Sequence, residues 1–80
     1  MYFIYVLQSA KDGKYYIGQT NNLNERLLRH NSGQVTSTKN RRPFKIIYRE
    51  TFENRSESIF REKQIKAMKG GNKFRELIDK

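Results

Sequence analysis

The sequence predicts an α+β domain: a small three-stranded antiparallel sheet flanked by helices, in the order β-β-α-β-α-α. Three observations predict it. Tyr2–Leu7 and Lys14–Gly18 are runs of aromatic and β-branched residues joined through Lys11-Asp12-Gly13, the pattern of a β-hairpin. A third such run, Phe44–Phe52, opens after the only proline, Pro43, which a strand tolerates at its first position. The remaining patterned stretches start with capping side chains and carry apolar residues at helical spacing.

Each element has its own justification. Side chains alternate faces along a strand, so hairpin register decides which residues share a surface. With the four-residue loop Ala10 to Gly13, Tyr5 falls opposite Gly18 and Leu7 opposite Tyr16, and both tyrosines share a face; a three-residue loop would separate them. The even loop is the expectation. Phe3, Tyr5 and Leu7 on one face and Tyr2, Ile4 and Val6 on the other are all apolar or aromatic, which makes this the central strand, covered on both sides. Asn22 with Glu25 three residues later resembles a capping box, opening a helix to about Asn31. Its apolar positions are Leu23, Leu27 and Leu28, Arg26 and His30 share a face, and Gly33 is the stop signal. Gln34 to Arg42 is polar and aperiodic, a loop suited to phosphate contacts. In the third strand Phe44, Ile46 and Tyr48 alternate with Lys45 and Arg49, which predicts one core face. Capping residues at Asn54 to Ser58 start a helix to about Met68, with apolar residues Ile59, Phe60, Ile65, Ala67 and Met68. Gly70-Gly71 ends it, and Asn72 is expected to cap a last helix striped by Phe74, Leu77 and Ile78.

Composition bounds the function. Eighty residues make a single domain, 1–80, too small for a large ligand cavity. Without cysteine there is neither a disulfide nor a thiolate metal site, which fits a reducing compartment. No apolar run approaches the ~20 residues of a membrane span, and Tyr2–Leu7 is too short for a secretory signal, so the expectation is a cytoplasmic protein with no membrane partner. The charge is pronounced: 17 Lys plus Arg against 8 Asp plus Glu, a net +9. Such a domain attracts polyanions, nucleic acid first, and its charge supplies affinity without sequence specificity.

Phe3-Ile4-Tyr5 and Tyr16-Ile17-Gly18, followed by Asn21–His30, Arg41-Arg42-Pro43 and Ser56–Lys66, resemble the ordered motifs of the GIY-YIG nuclease superfamily, in its small stand-alone form. Phe3 replaces the usual first glycine, and an aromatic residue often found near Ser37 is absent. The resemblance implies a metal-dependent endonuclease that hydrolyses DNA phosphodiesters. Onto its motif positions fall Tyr5 as general base aided by His30, Tyr16 as the group orienting water or phosphate, Arg26 as the grip on the scissile phosphate, and Glu62 as ligand of one Mg²⁺ or Mn²⁺ ion. Gly18 and, by a looser match, the Asn72 amide are supporting residues. A phenol is a poor base near neutrality, so Tyr5 needs a cationic setting, supplied by Arg26, the metal and a partly protonated His30. The acids form no tight cluster of the kind a two-metal site requires. Arg29, Lys39, Arg41 and Arg42 are the expected nucleic-acid contacts. The expected partner is DNA, branched or without sequence preference, with RNA as the other polyanion. A separate targeting protein would add selectivity, and the expected state is a monomer. The alternative reading is a noncatalytic basic nucleic-acid-binding module on the same scaffold.

Overall fold

The computed structural model describes residues 1–79, and it has the predicted order of elements. Strand β1 spans Tyr2–Ser9, β2 Tyr15–Thr20, helix α1 Leu23–Asn31, β3 Phe44–Phe52, helix α2 Arg55–Met68 and helix α3 Asn72–Ile78; a single 3-10 turn, Lys39–Arg41, interrupts the loop before β3. The sheet order is β2-β1-β3, antiparallel throughout, with β1 in the centre.

The hairpin has the even register. Tyr5 pairs with Gly18 and Leu7 with Tyr16. The Ser9 amide donates to the Lys14 carbonyl at 2.9 Å, closing a loop in which Gly13 takes φ +72, a conformation that side chains disfavour. Because β1 is apolar on both faces, the sheet buries two layers. Ile4, Val6 and Ile17 pack against Ile65 of α2 and Phe74 and Leu77 of α3, while Tyr5, Leu7 and Phe44 pack against Leu23 of α1. Ile65 is fully buried in the first layer. An Ile65→Ala variant therefore loses about 2–5 kcal/mol, which urea unfolding would read directly; a loss under about 1 kcal/mol would mean the α2 contact is not part of the core.

Three local expectations are corrected. First, β3 does not present one core face. Its pairing with β1 shifts between Val6 and Leu7, leaving Ile47 as an extra residue, so Phe44 and Ile46 join the α1 layer while Ile47, Tyr48 and Phe52 join the other. Alternation alone cannot foresee such a parity change. Second, Leu28 and Phe60 are exposed. The buried residues of α1 are Leu23 and His30, and those of α2 are Ser58 and Ile65, so small polar side chains and a histidine hold inward positions that hydropathy assigned to leucine and phenylalanine. Third, Asn72 does not cap α3. Gly70 turns the chain at φ +89, Gly71 is the extended N-cap, and Asn72 is the first helical residue. The caps at Asn22 and Asn54 do form, their side chains accepting from the amides of Glu25 and Glu57.

Candidate active site

The even hairpin register puts Tyr5 and Tyr16 on the α1 side of the sheet, and the four-residue spacing of Arg26 and His30 turns both inward from α1. The ring centroids of Tyr5 and Tyr16 are 6.4 Å apart, and His30 lies 6.1 Å from Tyr5 and 4.8 Å from Tyr16. Gly18 makes this possible. A methyl group on it would sit 2.4 Å from the Tyr5 hydroxyl and 2.5 Å from the ring carbon that bears it, so the phenol lies across bare backbone. The glycine makes room for an aromatic ring.

The polar atoms form one chain. The Tyr5 hydroxyl is 3.2 Å from Nε2 of His30, and Nδ1 of His30 is 2.8 Å from Oγ1 of Thr38. Thr38 donates to the Val35 carbonyl. Its lone pair is thus what remains for an Nδ1–H, and this network assigns Nε2 as acceptor of the Tyr5 proton. Tyr5 is 1% exposed, and His30 and Thr38 are fully buried.

Electrostatics correct two expectations. Burial first, then the neighbouring Tyr16 and Glu62, push the Tyr5 phenol well above its ordinary 10.0, and the opposing influence of Arg26 does not reverse this. Burial, helped by Arg26, pulls His30 below its ordinary 6.5, so the imidazole is neutral near neutrality instead of partly protonated. The protein alone does not generate a phenolate; it holds a phenol hydrogen-bonded to a neutral imidazole. Arg26 and Glu62 both act on the Tyr5 hydroxyl, in opposite directions, so α1 and α2 both bear on this one oxygen.

Glu62, with 20% of its side chain exposed, pairs with Lys66 at 3.4 Å. Among the described residues no group of three or more His, Cys, Asp or Glu side chains is arranged to hold a metal ion. The donor chemistry here is a single half-buried carboxylate, which suits a hard cation that keeps most of its water and takes its other oxygens from substrate.

The remaining predicted residues lie apart. Arg41 turns inward: its guanidinium meets Asp12 at 3.2 Å and the Tyr15 carbonyl at 3.5 Å, and lies 5.8 Å from the Phe44 ring centroid. Together with Ser9 Oγ donating to the Arg41 carbonyl and Lys11 to the Asn40 carbonyl, it ties the 3-10 turn to the hairpin loop. Arg42 lies over Gly33. Lys39 is exposed, and Arg29 is an exposed surface partner of Glu25 at 3.6 Å. The exposed Asn72 makes no side-chain hydrogen bond among the described residues. Thr38 went unread in the sequence. Eight residues beyond His30 in an aperiodic loop, it gave no signal beyond its capacity to hydrogen-bond.

Fold and site together define a small nuclease-type domain built on a tyrosine-bearing hairpin. The model of the GIY-YIG catalytic domain matches residues 1–75, and the chain belongs to the GIY-YIG family. It is similar to UPF0213 proteins of Staphylococcus saprophyticus, with 36% identity over 92% of this chain and 90% of the relative, and of Staphylococcus aureus, with 37% identity over the same shares. The solution structure of a UPF0213 protein from Bacillus halodurans superposes with a TM-score of 0.50 and 28% identity, covering 92% of each chain. No helix among the described residues is long and apolar enough to cross a membrane.

Proposed function

We propose that the domain is an endonuclease hydrolysing DNA phosphodiester bonds, with one divalent cation, Mg²⁺ or Mn²⁺, held mainly by Glu62. The observation that carries this reading is the buried chain from Tyr5 through His30 to Thr38, capped by Arg26 and Glu62. When a water attacks phosphorus, its proton moves to the Tyr5 oxygen while the Tyr5 proton moves to Nε2 of His30, and Thr38 keeps Nδ1–H oriented; the P–O bond to the leaving sugar oxygen breaks, and that oxygen keeps the electron pair and takes a proton from solvent water. The raised phenol pKa is then no obstacle, because no free phenolate forms. The resulting imidazolium is compensated by negative charge developing on the phosphate, which Arg26 also stabilises. Tyr16, whose hydroxyl makes no hydrogen bond among the described residues, orients water or phosphate. The cation bound at Glu62 would supply further charge stabilisation at the phosphate.

The second reading, a noncatalytic nucleic-acid-binding module, draws on the net charge of +9 and on Arg41, which serves the scaffold rather than a substrate. Incubating plasmid and branched DNA with Mg²⁺ or Mn²⁺ separates the two. The endonuclease cuts, and Glu62→Ala abolishes cutting without abolishing binding in EDTA. Salt-sensitive binding with no cutting by the wild type would leave the module as the function. The substrate would be taken without sequence preference, and a cytoplasmic monomer directed by a targeting protein is the setting proposed.

A further inference from the structure

A concavity of about 170 Å³ is lined by Tyr2, Gln19, Thr20, Asn21, Arg26 and Arg55. Tyr5, Tyr16, His30 and Glu62 do not line it, so it adjoins the reacting position and does not coincide with it. Arg26 belongs to both. It bears on the Tyr5 hydroxyl and also forms a wall of this cleft.

Two features make the cleft unusual. Two guanidinium groups border a small space that no carboxylate lines, so their mutual repulsion is uncompensated there. Three neighbouring acids are engaged elsewhere, Glu25 with Arg29, Glu57 with the Asn54 amide and Glu62 with Lys66, while the exposed Glu53 does not line the cleft. The Arg55 guanidinium, on the first residue of α2, has neither a hydrogen bond nor an ion pair among the described residues. The Gln19 and Asn21 amides make no side-chain hydrogen bond either, which leaves two neutral donors beside two cationic forks. Planar forks and amide donors match the tetrahedral oxygens of a phosphodiester.

We infer that this cleft seats the backbone phosphate adjacent to the scissile one, with Arg55 as its principal ligand and Arg26 bridging the two phosphates. The inference rests on the proposed endonuclease reading and deepens it. Two consecutive phosphates held by separate groups fix the direction of the strand across the tyrosines, which one phosphate gripped alone cannot do. Arg55 is thus a positioning residue that sets which bond meets the activated water.

The test is a binding scan in EDTA with fluorescent DNA carrying one uncharged methylphosphonate at each position in turn. The wild type is expected to lose affinity at two neighbouring positions. Arg55→Ala should weaken binding of unmodified DNA roughly tenfold, lower the salt slope by about one, and abolish the penalty at one of the two positions while keeping the other. Arg55→Lys, which keeps charge without the fork, should restore the salt slope but only part of the affinity. The melting midpoint should stay unchanged in both, since Arg55 is exposed. If Arg55→Ala binds as the wild type does, or keeps both position-specific penalties, the cleft is not a phosphate seat. A wild type that shows the paired footprint yet never cuts with Mg²⁺ or Mn²⁺ would overturn the hydrolytic reading and support the cleft; cutting without the footprint would do the reverse.

Discussion

Gly18→Ala is expected to lower cleavage about as far as Tyr5→Phe does, by a factor of about 10²–10⁴, the usual contribution of a positioned acid or base. The added methyl would need to occupy space 2.4–2.5 Å from the Tyr5 hydroxyl and its ring carbon. Backbone cannot yield easily on β2, which pairs along its length with the central strand. The ring must therefore swing away, and with it the hydroxyl leaves Nε2 of His30. Loss of an ångström of alignment is enough for a factor of about 10². The stability cost is that of modest overpacking, about 1–3 kcal/mol, so a folded protein remains to be measured. The control is nucleic-acid binding in EDTA, which should persist because Arg55 does not touch the phenol and Arg26 keeps its charge wherever the phenol points. Combining Gly18→Ala with Tyr5→Phe should add little further loss of cleavage, since the ring carbon still collides and the proton acceptor is already gone. Undiminished cleavage in Gly18→Ala would remove Tyr5 from the reaction.

That dependence of a catalytic group on an absent side chain marks the limit of what the sequence revealed. The hairpin register was one of two that the sequence allowed, since a β1 apolar on both faces favours neither, and the even one expected here is the one that forms. The inward pair Arg26 and His30 was legible from helical spacing. Tertiary contacts decided the rest. Nothing local distinguishes Arg41, which reaches back across 29 residues to Asp12, from Arg55, whose guanidinium has no partner among the described residues, because both are arginines in polar surroundings. Thr38 and Ile47 escaped for related reasons, one acting across an irregular loop and the other as a bulge that breaks the period-two pattern. The expectation that cationic surroundings activate the phenol failed on a competition of magnitudes. Burial of Tyr5 outweighs Arg26, a balance invisible until the packing is known.

The same burial makes a pH prediction that only one residue can satisfy. His30 is the only histidine and there is no cysteine, so among side chains of ordinary pKa it alone titrates between about pH 5 and 7. Its pKa in the folded protein lies below the ordinary 6.5, chiefly through burial and then through Arg26. Between the folded and unfolded values the unfolded chain therefore carries the extra proton, and stability rises with pH. Stability is fully present above about 6.5, falls as pH drops toward the folded pKa with a limiting slope of about 1.4 kcal/mol per unit, and levels off below it as far as this residue is concerned. Cleavage follows the same proton: once Nε2 is protonated it no longer accepts from Tyr5, so kcat/KM should show an acid limb falling tenfold per unit, with its break below 6.5. Thr38→Val adds a discriminating arm. Removing the hydroxyl leaves Nδ1–H buried without a partner, at a cost of about 1–3 kcal/mol, and releases the tautomer that presents Nε2 as acceptor. The plateau of kcat/KM should drop while the limb persists, whereas His30→Gln should remove the limb itself. A limb that survives His30→Gln would assign the titrating proton to another group and break the relay from Tyr5 to Thr38.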